Sequence, residues 1–133
     1  MASIHREIEI DASPDQVWAA VRDFGAVARL APGFVRAAHL DGEARVVTFA
    51  NGTVARELKV DCDEARRRLV YAVISDRVQH YNAAVQVRGD DGDSRSRLLW
   101  TVDLLPDGIA PAIADQMDQA ALAMQRALAR NAA

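Results

Sequence analysis

Beyond residue 33 the chain alternates with period two through six short segments, most of them closed by turn-forming residues, and then changes once to a helical period. Phe34–Leu40 ends at Asp41-Gly42, Arg45–Ala50 at Asn51-Gly52, and Thr53–Cys62 at Asp63-Glu64. Leu69–Ser75, Val78–Arg88 and Arg95–Leu105 follow, with Asp90-Asp91-Gly92-Asp93 between the last two and Pro106-Asp107-Gly108 behind them. Period two marks strands. Asn51-Gly52 is the strongest hairpin signal, and a two-residue primed turn with positive φ at both positions is expected there. From Ile109 to Arg130 one apolar stripe runs through Ile109, Ile113, Met117, Ala120, Met124 and Leu128, with Asp115, Asp118, Gln119 and Arg126 on the solvated side. Six consecutive strands with short turns form an antiparallel meander, and the one long stripe must cover its inner face.

The first third adds a strand and two short helices. Ile4, Ile8 and Ile10 alternate with His5, Glu7 and Glu9, which predicts a strand over 4–10. Ser13-Pro14-Asp15-Gln16 combines an N-cap, a proline preset for the first helical position and a capping-box glutamine. Val17, Trp18, Val21 and Phe24 follow at helical spacing, so Trp18 belongs in the core. Gly25 breaks that helix, and a second, from Ala26 to Ala31, stops at Pro32-Gly33. No repeat or linker interrupts residues 1–133, which read as a single α+β domain with about seven strands.

Composition excludes several classes. With 50% hydrophobic and 26% charged residues the chain is neither disordered nor a coiled coil. A net charge of −3 offers no general attraction to phosphate backbones, so no nucleic-acid partner is expected. No apolar run approaches the ~20 residues of a membrane span, and no signal peptide is visible at the start. The one cysteine, Cys62, cannot form an internal disulfide, and a cytoplasmic monomer or weak homodimer is expected.

Ser13-Pro14-x-x-Val17-Trp18 with Asp23-Phe24-Gly25, Glu57-Leu58 followed by Asp61, Tyr71, His80-Tyr81, and Leu98-x-Trp100 leading to Leu105-Pro106 carry a resemblance. In these residues the chain resembles the Bet v 1-like or START-like (SRPBCC) superfamily, and within it the small bacterial polyketide cyclase/dehydrase-type proteins. The resemblance covers about Ile4 to Leu128. It implies a helix-grip fold: a curved antiparallel sheet around the C-terminal helix, with a cavity between them and the two short helices plugging one end. Relatives range from cyclases to lipid, hormone and ubiquinone binders and partners of chaperones or ribosomes, so function has to come from the site. Many relatives carry a tryptophan just before the proline that ends the second short helix, where this chain has Leu30-Ala31-Pro32.

Catalytic and metal motifs are sparse. His5, His39 and His80 fall on three different strands without ligand spacing, so no metal is expected. There is no nucleophile elbow, P-loop or dinucleotide fingerprint, and no cofactor is expected. Cys62 shares parity with Leu58 and Val60 and reads as a buried thiol. Arg66-Arg67-Arg68 follows a turn without stacking aromatics and reads as a solvated hairpin end.

Polar groups on faces that should be dry are more informative. Counting in twos places Arg36 and Ala38 inward on one strand and Arg56 and Leu58 on another. The same counting brings in Gln79, Tyr81 and Ala83, and then Leu98 and Trp100, opposite Ile113, Met117 and Met124 of the helix. A β-bulge would reverse the parity of either arginine. With 26 alanines and only seven aromatics, inward-facing small side chains leave a hole unless they collapse tightly. A cavity of about 300–1,000 Å³ bounded by these residues is expected.

Three readings follow. In the first, the domain binds a small, largely apolar molecule such as a polyketide, lipid or aromatic acid, with an anionic head if Arg36 or Arg56 points inward. In the second, the same pocket is a polyketide cyclase or dehydratase, with Arg36 or Arg56 polarising a carbonyl and Tyr81 or His80 handling a proton. The third is a protein-interaction partner whose cavity is incidental. No assured pair of acid and base shares one face, so binding ranks above catalysis.

Overall fold

In the computed structural model, which describes residues 1–132, β1 (Ala2–Ile10) leads into α1 (Pro14–Arg22), a 3-10 turn (Phe24–Ala26) and α2 (Val27–Leu30). Six strands follow: β2 (Val35–Asp41), β3 (Ala44–Phe49), β4 (Val54–Asp63), β5 (Arg68–Ile74), β6 (His80–Arg88) and β7 (Ser96–Leu105). A second 3-10 turn (Asp107–Ile109) opens α3 (Ala110–Ala132). The strands form one antiparallel sheet in the order β1-β7-β6-β5-β4-β3-β2. The meander is closed on one side by β1, which pairs with β7 from Ala2↔Leu104 to Ile10↔Ser96. This is the helix-grip architecture.

Local chemistry explains the elements that hold the sheet's inner face. Ser13 Oγ accepts the Gln16 N–H at 3.2 Å, and Gln16 Oε1 accepts the Ser13 N–H at 3.1 Å, so the capping box closes ahead of Pro14. Val17, Trp18 and Val21 form the buried face of α1. Trp18 is 6% exposed, and its Nε1–H donates to Glu64 Oε2 at 2.8 Å. Arg22 Nε donates to the other oxygen of Glu64 at the same distance, pinning α1 to the β4–β5 hairpin. Gly25 does not itself end α1; it lets the following 3-10 turn lie against β2, where a Cβ would come 2.9 Å from Leu40 Cγ. Met117, Ala120, Met124 and Leu128 of α3 are buried over the sheet. Asp118 is more than a solvated side chain: it accepts from Arg6 Nε at 2.6 Å, tying α3 to β1. Among the described residues no helix is long and apolar enough to cross a membrane.

Three expected placements are corrected. The Asn51-Gly52 hairpin has three loop residues: the Gly52 N–H donates to the Phe49 carbonyl and the Phe49 N–H to the Thr53 carbonyl, both at 2.9 Å. Positive φ falls on Gly52 (89°) and not on Asn51, whose side chain accepts from the Thr53 N–H at 2.9 Å. Arg36 is an extra residue at a bulge, since Val35 pairs with Phe49 and Ala37 with Thr48. Val60 is a second, since Lys59 pairs with Tyr71 and Asp61 with Val70. That bulge reverses parity along β4, so Glu57 faces inward while Arg56, Leu58 and Val60 face outward.

Candidate functional site

Between the sheet and α3 lie two adjoining chambers. The inner chamber, about 100 Å³, is walled by Val47, Leu69, Val85 and Trp100 of the sheet, Val27 and Leu30 of α2, and Met117, Ala120 and Met124 of α3. The outer chamber, about 480 Å³, opens between the β3–β4 hairpin, the β5–β6 turn and the start of α3. Phe34, Phe49, Glu57, Tyr81, Ile113 and Gln116 belong to both walls and form the neck.

One ion pair stands in this apolar surround. Arg45 and Glu57 face each other directly across β3 and β4. Arg45 is 5% exposed and Glu57 7%. Arg45 Nε donates to Glu57 Oε1 at 2.8 Å, and Nη1 donates to the Phe24 carbonyl at 3.1 Å. The guanidinium also lies over the Phe24 ring at 4.1 Å and the Tyr71 ring at 5.0 Å, which replaces water on its faces. Such a pair is close to electrically neutral, so it gives the chamber a polar edge without a net charge.

Two phenols complete the polar edge. Burial, and then the charge of Glu57, push the Tyr71 phenol far above its ordinary value of 10.0. Burial likewise raises Tyr81, with Tyr71 and Glu57 adding to it. Both therefore stay protonated and are available as hydrogen-bond donors. Trp100 Nε1 is buried and makes no hydrogen bond of good geometry among the described residues, although it lies near enough to the Tyr71 oxygen to oppose slightly the rise of that phenol. The site thus offers donors from Trp100 and the tyrosines and an acceptor from Glu57, in walls that are otherwise largely hydrocarbon.

Of the side chains expected here, Tyr81, Trp100, Ile113, Met117 and Met124 line the cavity. Ala83 and Leu98 face the same side of the sheet but are packed solid at 0% exposure and border neither chamber. Ala38 is half-buried beyond the chamber walls. The bulges turn Arg36, Arg56 and Leu58 away. Arg36 is exposed and donates to the Ala50 carbonyl at 2.8 Å; Arg56 is on the outer face, 2.7 Å from Asp41 Oδ2; Leu58 lies beside it on that face. Gln79 precedes β6 and is exposed, as is His80. Cys62 is half-buried, and burial followed by the nearby Glu64 charge raises its thiol. The three histidines are exposed, and no metal-binding cluster of His, Cys, Asp or Glu forms among the described residues.

Sequence reading missed Arg45, Glu57 and Tyr71. The signal that finds them is the parity of Arg45 with Val47 and Phe49, combined with a three-residue loop at Asn51-Gly52, which sets Arg45 opposite Glu57.

The family described as polyketide cyclase / dehydrase and lipid transport matches residues 1–133. No protein of curated function matches the chain by sequence. Among solved structures, an uncharacterised protein from Bacillus thuringiensis is 20% identical, with a TM-score of 0.85 over 96% of this chain and 98% of that one. XoxI from Bacillus cereus is also 20% identical, with a TM-score of 0.81 over 99% and 96%. Norcoclaurine synthase from Thalictrum flavum, in complex with dopamine and hydroxybenzaldehyde, is 21% identical, with a TM-score of 0.70 over 98% of this chain and 85% of that one. These likenesses are in fold.

Proposed function

We propose, from the premise that this chain belongs to the polyketide cyclase / dehydrase and lipid transport family, that its cavity binds a small, largely apolar molecule through an uncharged hydroxyl or carbonyl group. The observation that carries this is the buried Arg45–Glu57 pair inside an otherwise apolar wall. Arg45 already has its carboxylate, so a second one entering the neck would meet Glu57 as a like charge and lose its own hydration. A hydroxyl can donate to Glu57, and a carbonyl can accept from a phenol or from the indole. The norcoclaurine synthase complex with dopamine and hydroxybenzaldehyde, both phenolic, lends this reading support from a related fold. An anionic head bound by Arg36 or Arg56 is withdrawn, because both guanidinium groups lie outside.

The test is displacement of the neutral fluorophore N-phenyl-naphthylamine by naphthol and naphthalene. Naphthol is expected to displace better than naphthalene, with that advantage reduced in Glu57→Gln. Equal displacement by the two, unchanged in that variant, would refute the reading. A second reading, cyclase or dehydratase chemistry, draws on Glu57 and Tyr81 sharing the neck. There the carboxylate would take a proton from carbon next to a carbonyl while the phenol hydrogen-bonds the oxygen that gains charge. Deuterium uptake by a β-diketone, faster with wild type than with Glu57→Gln or buffer, is its expected signature.

A further inference from the structure

The outer chamber carries a charge that the binding reading leaves unused. Among the described residues only two ionisable groups other than Tyr81 line it: Glu57 at the neck and Arg77 at the rim. Arg77 lies in the β5–β6 turn, where the Val78 N–H donates to the Ser75 carbonyl at 3.3 Å and the Arg77 N–H to Ser75 Oγ at 3.2 Å. From that turn Arg77 borders the chamber as an exposed residue. Eleven ion pairs form among the described residues, and Arg77 takes part in none of them. Neutral polar side chains (Asn51, Thr53, Gln116 and Gln119) and hydrocarbon make up much of the remaining wall.

The cavity is therefore polarised along its length. At the neck a carboxylate is fixed and already paired; at the mouth a guanidinium has no partner. Val73, the cross-strand neighbour of Glu57, precedes Arg77 by four residues, which span at most about 14 Å of extended chain. A ligand of medium chain length can reach from one to the other.

We infer that the ligand is an amphipathic monocarboxylate that enters with its uncharged polar end first, leaving its carboxylate at the mouth against Arg77. This rests on the reading of the inner chamber as a site for an uncharged hydroxyl or carbonyl, and adds the opposite end of the molecule. Placing the carboxylate at the mouth keeps it partly hydrated and gives it a charge-assisted, bidentate donor. The reverse orientation would bury it beside Glu57.

The experiment is displacement of N-phenyl-naphthylamine by ω-hydroxydecanoate and by decanediol, which share a chain and one hydroxyl and differ only in the charged end. Wild type is expected to prefer the hydroxy acid by about three- to tenfold at low salt, the preference shrinking as salt is raised. Arg77→Lys should keep part of that preference, Arg77→Met should bring the ratio to about one, and Arg77→Glu should invert it. Equal affinity of the two ligands in wild type, or a preference that survives Arg77→Met, would overturn the assignment of Arg77 while leaving the inner-chamber reading intact. Failure of decanediol to displace the fluorophore at all would remove both.

Discussion

At the scale of single residues, the Arg45–Glu57 pair separates what stabilises the fold from what the cavity uses. Removing one partner leaves the other charged in a site where both are under 10% exposed (5% and 7%), a situation that typically costs about 3–5 kcal/mol. Arg45→Met is expected to lower stability by that amount in urea unfolding. The double variant Arg45→Met/Glu57→Leu should recover much of the loss, because an apolar pair of similar size has no charge to desolvate. A double variant as unstable as the single one would mean that Arg45 acts through its stacking on Phe24 and Tyr71 instead. Glu64 is a surface counterpart. Hydrogen bonds from Trp18 and then Arg22 hold its carboxyl below the ordinary value of 4.5. A carboxyl lowered in the folded state contributes stability above its unfolded value, and that contribution is lost as pH falls through the folded one. The melting-temperature gap between wild type and Glu64→Gln should therefore be widest near neutral pH and close below about pH 4. A gap of constant size would show that the charge of Glu64 is irrelevant.

At the scale of elements, what the sequence disclosed depended on whether a signal was local. The capping box at Ser13, the helical spacing of Trp18 and the stripe of α3 each involve residues within a turn or two of one another, and all appear where expected. Strand faces are different, because parity accumulates along a strand and one extra residue reverses everything beyond it. Counting back from Cys62, which does lie on the inner side opposite Leu69, carries the reading through the bulge at Val60 and puts Arg56 where Glu57 stands. The hairpin adds a second such error. A two-residue turn at Asn51-Gly52 would set Arg45 opposite Leu58, whereas the third loop residue sets it opposite Glu57. The ion pair was therefore invisible until both one-residue shifts were known. The local signals also give a graded prediction for α1. Ser13→Ala removes one cap and should cost about 1 kcal/mol, while Trp18→Ala removes a buried indole and should cost about 3–5 kcal/mol. Equal losses in thermal melts would mean that α1 is held by its cap and not by its packing.

At the scale of the whole molecule, small side chains on the inner face do two different things. Ala83 lies between Tyr71 and Val102 on neighbouring strands at 0% exposure, so its small size permits close packing and leaves no space. Ala120, on α3, borders the inner chamber of about 100 Å³, and its small size is what leaves that chamber open. Composition alone cannot tell these apart, since it counts alanines without saying which of them have a neighbour in reach. The two positions should respond oppositely to the same change. Ala120→Phe sends a ring into existing space, so it should preserve or raise the melting temperature and abolish binding of N-phenyl-naphthylamine. Ala83→Phe has no space to enter and should lower stability by about 1–3 kcal/mol through displaced neighbours. Retained fluorophore binding in a folded Ala120→Phe protein would place the bound molecule wholly in the outer chamber, within reach of Glu57 but not of Arg45, Tyr71 or Trp100.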